Sequence, residues 1–499
     1  MRRRDFLRAG TAALGLGALG RQDALAALAA RARGVRARPT PTPQQLAWQR
    51  MELAIFVHFG VNTFTDREWG DGKEDPRIFA PTRLDARQWA RAAKAGGFKM
   101  MILTAKHHDG FCLWPSDLTE HSVKNSPWRD GKGDVVREFV DACRAEGLLV
   151  GLYLSPWDRH EPTYGDSPRY NDFYVRQLTE LLTRYGPIAE MWFDGANGEG
   201  PNGKRQEYDW PRFHRTVKSL QPDALIFSDA GPDIRWIGNE RGIAGDPNWC
   251  TVDPAKVPVP GIAGSPEVVR ALQHGDPDGT VWRPGEADVS IRPGWFWHAS
   301  QDDRVRTTDN LIDLYFLSVG RNANLLLNVP PTTEGLFHPT DVRRLEEFGE
   351  RLKELFATDL AAKARASASA AEGRARRADR VVDGDPDTFW SPPEGTTTGW
   401  LELDLRRPTE FDVVCLQEAI AHGQSVERYR VEGWNGREWM VLSRGTTIGH
   451  KKLDRTGPVT ASRVRLVIES ALDTPRISRI ALYRTGLQPL RPRGRQEPA

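Results

Sequence analysis

Cysteine is scarce in this chain of 499 residues, and its spacing argues against two classes of site. The four cysteines, Cys112, Cys143, Cys250 and Cys415, lie far apart and form no Cys-x-x-Cys pair. A structural zinc site or a disulfide framework requires closely and regularly spaced cysteines, so neither is expected. The spacing leaves open whether one pair forms a disulfide after export, and which pair that would be.

An excess of charge of one sign is also lacking. Lysine and arginine number 69, against 67 aspartates and glutamates, so the formal net charge is +2. Proteins that bind nucleic acid or an anionic membrane surface usually carry a strong basic bias, and we expect neither partner here. Beyond the N-terminal segment no apolar run approaches the ~20 residues that span a bilayer, so no membrane association is expected after export.

Tryptophan, by contrast, is abundant, with 17 residues. A flat indole ring can stack against the C–H groups of a sugar ring, which would suit a protein that binds carbohydrate. Indole rings also fill large cores, and composition alone does not separate the two uses.

The N-terminus resembles a twin-arginine export signal. Arg3 and Arg4 precede a run of Ala, Gly and Leu at 9–20, and small residues around Ala24 offer a cleavage site. We therefore predict a signal peptide over residues 1–30 and export to the periplasm or the extracellular space. Residues 31–44 are rich in Arg, Pro and Thr without periodicity, which predicts a linker before a folded part that begins near Gln45.

Six short apolar runs recur along residues 45–358, each about as long as a buried strand. Helical patterns separate the early runs, and this repetition predicts parallel βαβ units. Because the strand ends carry His, Trp, Asp and Tyr, we predict an α/β catalytic domain, a (β/α)8-like TIM barrel with its chemistry at the carboxyl ends of the strands. The six runs are Ala54–Phe59, Met100–Thr104, Leu148–Leu154, Ala189–Phe193, Ala224–Phe227 and Asn324–Val329.

The sequence pattern changes after the helical segment Arg343–Phe356. The runs Trp400–Leu405, Tyr429–Glu432 and Ser462–Ile468 alternate apolar and polar residues, which is typical of antiparallel strands with one buried face. Together with the turn residues between them, they predict an all-β, jelly-roll-like sandwich over residues 366–487. Residues 488–499 are predicted to form a disordered tail.

Asp194 is the strongest candidate for chemistry. It stands in Met191–Gly195, where an apolar strand gives way to a glycine-containing loop. Barrel enzymes place their catalytic groups at this position. An aspartate that only caps the loop is the alternative interpretation.

Two further strand ends carry three histidines, His58, His107 and His108. Clustered imidazoles serve either as metal ligands or as hydrogen-bonding groups for a polyhydroxylated ligand. The His-x-His and His-x-x-x-His pairs typical of zinc barrels are absent, so no metal and no cofactor is predicted. Adjacent histidines on a regular strand would point to opposite faces, so joint use of His107 and His108 requires the chain to leave strand geometry there.

Glycoside hydrolysis would need a second carboxyl group, about 5 to 5.5 Å from the nucleophile in a retaining enzyme. Glu240 and Glu286 compete for that role, and either could instead be a solvated loop carboxylate. Aromatic and polar residues near the strand ends would complete a sugar pocket, although each aromatic could equally be core. These further candidates are Glu68, Trp69, Tyr153, Trp157, Trp192, Arg235, Trp295 and Phe296.

Four motifs together resemble those of the glycoside hydrolase family 29 α-L-fucosidases. They are His58-Phe59-Gly60, Lys106–Phe111, Trp192–Gly195 and Gly320–Asn328, and the resemblance covers roughly residues 45–356. It implies a retaining exo-hydrolase that releases terminal α-linked fucose from fucosylated oligosaccharides or glycoconjugates. The nucleophile of the family corresponds to Asp194.

The resemblance also implies roles for other residues. Gly238–Gly242 resembles the loop that bears the acid/base in the subgroup cleaving α-1,3/1,4-linked fucose, so Glu240 is assigned that role and Glu286 is the runner-up. The C6 methyl group of fucose needs an apolar pocket, for which Phe59, Trp295 and Phe296 are candidates. The implied fucose contacts include His58, Glu68, Trp69, His107, His108 and Tyr153.

Asp383–Trp390 and Trp400–Leu405 resemble a discoidin-type (coagulation-factor C-type) β-sandwich. Such modules bind carbohydrate in some proteins and buttress the catalytic domain in others.

Two other functions compete with hydrolysis by Asp194. A glycan-binding barrel that has lost its activity predicts a missing carboxylate, and a metal-dependent hydrolase predicts sensitivity to chelators. The oligomeric state does not follow from the sequence.

Overall fold

The computed structural model describes residues 38–261 and 264–490. The predicted signal peptide at 1–30 lies outside the described residues, as do residues 31–37 of the predicted linker and residues 491–499 of the predicted tail. Within the described ranges, no helix combines the length and the apolar character needed to cross a membrane.

Helices and strands alternate along the first part of the chain, the barrel domain (residues 43–355). In chain order they are α1 (Pro43–Met51), β1 (Leu53–Val57), α2 (Val61–Thr65), α3 (Ala86–Ala95), β2 (Met100–Lys106), α4 (Val135–Glu146), β3 (Leu149–Leu154), α5 (Ser167–Arg184), β4 (Glu190–Trp192), α6 (Trp210–Leu220), β5 (Leu225–Ser228), β6 (Ile234–Trp236), β7 (Thr251–Val252), α7 (Pro266–His274), β8 (Val281–Trp282), β9 (Gly285–Ser290), α8 (Thr308–Leu317), β10 (Ala323–Asn328) and α9 (Pro339–Leu355).

Eight of these strands close into a parallel barrel in the order β1-β10-β9-β6-β5-β4-β3-β2, which confirms the predicted fold class. The six apolar runs form β1 to β5 and β10. Two barrel strands, β6 and β9, escape prediction because β6 spans three residues and β9 alternates polar with apolar positions. They pair with each other through Trp236 and Glu286, and so complete the ring.

Residues on each barrel strand alternate between the interior and the surrounding helices. Phe56, Trp192 and Phe227 pack inside the barrel, whereas Ile55 and Leu103 pack outward against the helical layer. The Trp192 and Phe227 rings stack with their centroids 4.1 Å apart. The barrel interior is therefore a packed core that supports a site at the carboxyl ends of the strands.

Helix α1 begins inside the segment 31–44 that was predicted as a linker. The Thr42 N–H donates to Oε1 of Gln45 at 2.9 Å, and the Gln45 N–H donates to Oγ1 of Thr42 at 3.2 Å. This reciprocal capping box satisfies two backbone donors and starts the helix at Pro43. The side chain of Gln45 also donates to the carbonyls of Asp233 and Trp282, which fixes α1 to the barrel domain.

The C-terminal β domain (residues 365–483) is antiparallel throughout and forms one hydrogen-bonded sheet of six strands. Register shifts along β12 and β15 allow both halves of these long strands to enclose a single core. The three alternating runs lie in β12, β13 and β15, as predicted. The strands are β11 (Arg365–Ala368), β12 (Gly399–Glu418), β13 (Val426–Trp434), β14 (Trp439–Gly445), β15 (Lys452–Ala471) and β16 (Ile477–Tyr483).

Candidate active site

A cavity of about 360 Å³ opens at the carboxyl ends of the barrel strands. Ten residues predicted from the sequence line it, together with three that were not predicted, Phe56, Ala196 and Asp288. The barrel thus gathers side chains that are far apart in the sequence. The ten predicted residues are His58, Glu68, Trp69, His107, His108, Tyr153, Trp192, Asp194, Glu240 and Trp295.

Asp194 lies two residues after the end of β4 and lines the cavity. Its Oδ1 accepts the Ala196 N–H at 2.7 Å, and its Oδ2 accepts the Tyr153 hydroxyl at 3.0 Å. Burial raises the pKa of Asp194 above its ordinary value, and these two donors oppose that rise. Asp194 therefore caps its loop through one oxygen and remains a candidate nucleophile through the other.

The three imidazoles are buried around this carboxylate. Burial lowers the pKa of both His58 and His108 to about 3, and that of His107 well below its ordinary value. All three rings are therefore neutral near pH 7. His107 and His108 follow the last residue of β2, so the chain has left strand geometry where both side chains reach the cavity.

Hydrogen bonds fix the proton positions on two of these rings. Nδ1 of His58 lies 2.8 Å from Oδ1 of Asn328, whose amide group donates to Oγ of Ser290 and to the Trp295 carbonyl. Nδ1 of His108 lies 2.7 Å from Oγ of Ser155, which donates to the Trp157 carbonyl. Each Nδ1 therefore carries the proton, and Nε2 of each ring is left as an acceptor.

Glu68 joins the loop after β1 to the segment at 294–298. It accepts the backbone N–H groups of Trp295 and Phe296 at 2.8 and 3.3 Å. His298 lies 2.6 Å from Glu68 through Nε2 and bonds Asp66 through Nδ1; burial lowers its pKa, but these two carboxylates raise it above the ordinary value. This network places Trp295 at the wall of the cavity.

Trp69 stands at the mouth of the cavity and is 61% exposed, far more than a core tryptophan. Its ring meets those of His108 and Trp157 edge to face, with centroids 6.2 and 5.8 Å apart. An indole ring held in place but open to solvent is suited to stack against a sugar.

Of the two candidate acids, only Glu240 lines the cavity. Loss of hydration raises its pKa, the Trp295 side chain opposes the rise by hydrogen bonding, and the negative charges of Asp194 and Glu68 add to it. Glu240 itself is exposed at the cavity mouth. A raised pKa favours the protonated form that a general acid needs. Glu240 therefore has the environment of a general acid.

Glu286 is not a loop carboxylate, which corrects one reading of the sequence. It lies on β9 inside the barrel, where it accepts the Trp192 indole N–H at 2.9 Å and is 1% exposed. It pairs there with Glu190, which accepts the Trp48 indole N–H at 2.7 Å. Burial and this neighbouring carboxyl raise the pKa of Glu286, so the pair retains a proton beneath the cavity.

Asp288 is a pocket residue that the sequence analysis missed. It lies two residues after Glu286, on the same face of β9 and one layer nearer the cavity. The Trp236 indole N–H donates to its Oδ1 at 2.7 Å, and burial, followed by the charge of Glu240, raises its pKa well above the ordinary value. The period-two alternation across Gly285–Ser290 was the available signal.

Three predicted contacts lie elsewhere. Arg235 is on the outer face of β6, where its guanidinium donates to Asn248 and to backbone carbonyls, because the neighbours on either side in the strand point into the barrel. Phe59 packs against Phe79 and Trp89 in the helical layer, and Phe56 lines the cavity instead. Phe296 supports His58 and His107 from behind, with ring centroids 5.5 and 5.0 Å away.

Within the described ranges, no three His, Cys, Asp or Glu side chains are grouped so that they could hold a metal ion. All four cysteines belong to the described part of the chain, and each is a buried free thiol. The groups available for chemistry in the cavity are therefore carboxyl, imidazole, phenol and indole.

Comparison with known proteins agrees with this arrangement. A family model described as Alpha-L-fucosidase matches residues 73–355, and one described as F5/8 type C domain matches residues 363–482. Alpha-L-fucosidase 1 of Arabidopsis thaliana is 46% identical over 451 residues, which covers 89% of this chain and 87% of that protein.

Two solved structures are similar over nearly their whole length. The crystal structure of SpGH29 is 44% identical with a TM-score of 0.85, and covers 90% of this chain and 98% of its own. A Ruminococcus gnavus GH29 fucosidase in complex with fucose is 37% identical with a TM-score of 0.83, and covers 90% and 96%. The chain therefore belongs to glycoside hydrolase family 29 and is an α-L-fucosidase that also carries an F5/8 type C domain.

Proposed function

We propose that the enzyme is a retaining exo-α-L-fucosidase that releases terminal α-1,3- or α-1,4-linked fucose from glycans, with Asp194 as nucleophile and Glu240 as acid/base. The observation that carries this proposal is that both carboxyl groups line one cavity in different environments. Asp194 receives two hydrogen-bond donors, whereas Glu240 is flanked by negative charge. Two carboxyl groups in unlike settings divide into nucleophile and acid.

The first step breaks the glycosidic bond. An oxygen of Asp194 attacks the anomeric carbon while Glu240 gives its proton to the departing glycosidic oxygen. The alcohol leaves, and fucose remains attached to Asp194 as an ester. The Tyr153 hydroxyl group keeps its hydrogen bond to Asp194, whose negative charge falls as its oxygen bonds to the anomeric carbon.

The second step returns the enzyme to its starting state. Glu240, now ionised, takes a proton from water as the water oxygen attacks the anomeric carbon. The bond to Asp194 breaks, fucose leaves with its original anomeric configuration, and Glu240 is protonated again. No external cofactor is needed for either step to balance.

The remaining pocket residues suit recognition of fucose. Nε2 of His58 and of His108 can accept sugar hydroxyl protons, because the opposite nitrogen of each ring is already committed. Phe56 and Trp295 supply apolar surface for the C6 methyl group, and Trp69 can stack on the ring. The linkage preference rests on the likeness of the loop Gly238–Gly242 to that of the α-1,3/1,4 subgroup.

A substrate panel tests this proposal. Hydrolysis of an aryl α-L-fucoside and of an α-1,3/1,4-fucosylated branched oligosaccharide is measured for the wild type, Glu240→Ala and Glu286→Ala, with and without chelator. We expect only Glu240→Ala to lose hydrolysis of the oligosaccharide. We expect the chelator to leave the activity of every protein unchanged. Equal loss in Glu286→Ala with an intact fold would overturn the acid/base assignment, and no release from the branched glycan would overturn the linkage.

We also propose that the enzyme is exported through a twin-arginine signal at residues 1–30. The proposal is supported by Arg3 and Arg4 before the short apolar run. In a bacterial host, fucosidase activity of the wild type should appear in the periplasmic fraction, and the double variant Arg3→Lys/Arg4→Lys should retain it in the cytoplasm. Equal distribution of the two proteins would refute the route.

A further inference from the structure

The loop that carries Glu240 is held on its barrel side by backbone hydrogen bonds. We refer to residues 237–245 as the acid/base loop. The N–H groups of Ile237 and Gly242 donate to the carbonyls of Glu286 and Asp288 at 3.2 and 3.0 Å. These bonds fix the path of the loop along β9. The Ala244 N–H also donates to the Leu317 carbonyl at 2.9 Å, which holds the end of the loop on the barrel, and none of the three bonds involves the residues after Gly245.

Immediately after the loop, Asp246 is held by the C-terminal β domain. Its Oδ2 lies 2.6 Å from Nζ of Lys452, and its Oδ1 accepts the Thr446 hydroxyl at 2.7 Å. The Lys452 side chain is 5% exposed and that of Asp246 is 36% exposed, so solvent screens the pair only from the side of the carboxylate. Burial raises the pKa of Asp246, but the ammonium group outweighs it and keeps the pKa below its ordinary value.

Asn248 connects the strand that enters the loop with the segment that leaves it. Its Oδ1 accepts the guanidinium of Arg235 on β6 at 2.6 Å. Its backbone N–H donates to Oγ1 of Thr447, at 2.9 Å, and its carbonyl accepts the Gln424 side-chain amide at 3.0 Å. Thr447 and Gln424 both belong to the C-terminal β domain. Arg235, predicted as a sugar contact, thus belongs to this network of hydrogen bonds around Asn248.

We propose that the C-terminal β domain positions the acid/base loop, with Asp246 and Asn248 as positioning residues that act through Glu240. This inference rests on the proposed role of Glu240. A general acid works only within hydrogen-bond reach of the oxygen it protonates, and a displacement of about 1 Å can cost a hundredfold in rate. Neither Asp246 nor Asn248 lines the cavity, so their contribution is to geometry.

Leaving-group dependence separates positioning of the acid from general damage to the fold. Fluoride departs from α-L-fucosyl fluoride with little need of a proton, whereas a sugar alcohol needs one. A displaced Glu240 should therefore lower kcat/KM for the oligosaccharide and leave kcat/KM for the fucosyl fluoride unchanged. This parameter reports the step in which the bond to the leaving group breaks. Partial unfolding reduces both values equally, so the ratio of the two is unchanged.

The test uses variants of the full chain on both substrates. Thr446→Val/Lys452→Met removes both partners of Asp246, and Lys452→Arg keeps the charge. A matched control is Arg463→Met, whose side chain pairs with Glu402 and lies over the Trp434 ring within the C-terminal β domain. Thr447→Val, which removes a single hydroxyl group, keeps the test open if the double variant does not fold.

The double variant should lose about tenfold or more in the oligosaccharide-to-fluoride ratio of kcat/KM, and Thr447→Val should lose part of that. Lys452→Arg and Arg463→Met should keep the wild-type ratio. An unchanged ratio in both interface variants, beside a selective loss in Glu240→Ala, would overturn this proposal alone. Equal loss on both substrates in Glu240→Ala would overturn the acid assignment and this proposal with it.

Discussion

The hydroxyl group of Tyr153 should set the acid limit of the reaction. It donates to Oδ2 of Asp194 at 3.0 Å, and it is one of two donors that oppose the effect of burial on that carboxyl. A hydrogen bond to a charged group is worth about 1.5–3 kcal/mol, and the protonated carboxyl keeps part of it. Because one pKa unit is about 1.4 kcal/mol, Tyr153→Phe should raise the pKa of Asp194 by about one unit.

The direction of the pKa shift follows from the ionisation state of Asp194 that the hydrogen bond stabilises. Tyr153 stabilises the ionised nucleophile, so without it Asp194 becomes protonated at a higher pH. The acid limb of the pH profile of kcat/KM should therefore move upward by about one pH unit in Tyr153→Phe. The alkaline limb, which reports the ionisation of the general acid Glu240, should stay near its wild-type position.

The assay is kcat/KM for an aryl α-L-fucoside across the pH range, measured on proteins of confirmed melting temperature. Tyr174→Phe is the matched control, because this buried tyrosine donates to the Leu154 carbonyl at 2.7 Å instead of to a carboxylate. It should leave the acid limb in place. An unmoved acid limb in Tyr153→Phe, or an equal shift in the control, would refute the reasoning.

Three further predictions concern other residues of the site. Burial raises the pKa of both Glu190 and Glu286 above the ordinary 4.5, so the folded pair holds a proton that the unfolded chain has released, and stability should fall as the pH rises above about 4.5. The double variant Glu190→Gln/Glu286→Gln should flatten this dependence of the melting temperature on pH, and an unchanged slope would contradict the prediction. Trp69→Ala, at a residue 61% exposed, should lower kcat/KM by roughly two- to tenfold through lost stacking while the melting temperature hardly changes. Asp288→Asn should keep the bond from Trp236 and melt within a degree or two of the wild type, whereas Asp288→Leu should melt lower because that indole N–H loses its buried partner.

Much of the fold follows from apolar periodicity. The six continuous apolar runs predict six of the eight barrel strands, because parallel strands buried on both faces are rich in apolar residues. The two missed strands lack a continuous apolar run for different reasons. Ile234–Trp236 is too short to show a pattern, and Gly285–Ser290 carries carboxyl groups into the interior of the barrel.

The site is predicted best where its residues follow a strand that the sequence reveals. His58 and Asp194 each follow an apolar run, and the shared direction of the strands brings these ends together at the cavity. Glu240 follows β6, which the sequence does not reveal, and its prediction rests on the resemblance of its loop to that of the α-1,3/1,4 subgroup. Arg235 fails because the face on which a strand residue lies depends on register, which three residues do not reveal. The contacts of Asp246 with the C-terminal β domain depend on domain packing, which leaves no local signal in the sequence.

The central claim is that Asp194 forms the covalent intermediate, and trapping tests it most directly. A 2-deoxy-2-fluoro-α-L-fucosyl fluoride should transfer its fluorofucosyl group to Asp194 with loss of fluoride. The resulting ester should hydrolyse slowly, because the fluorine at C2 destabilises both transition states while fluoride, a good leaving group, keeps the first step fast enough for the ester to accumulate. Peptide mass spectrometry of the inactivated enzyme should find one fluorofucosyl group on Asp194, and Asp194→Ala should remain unlabelled and inactive. A label on another carboxyl group, or turnover by a folded Asp194→Ala protein, would contradict the account.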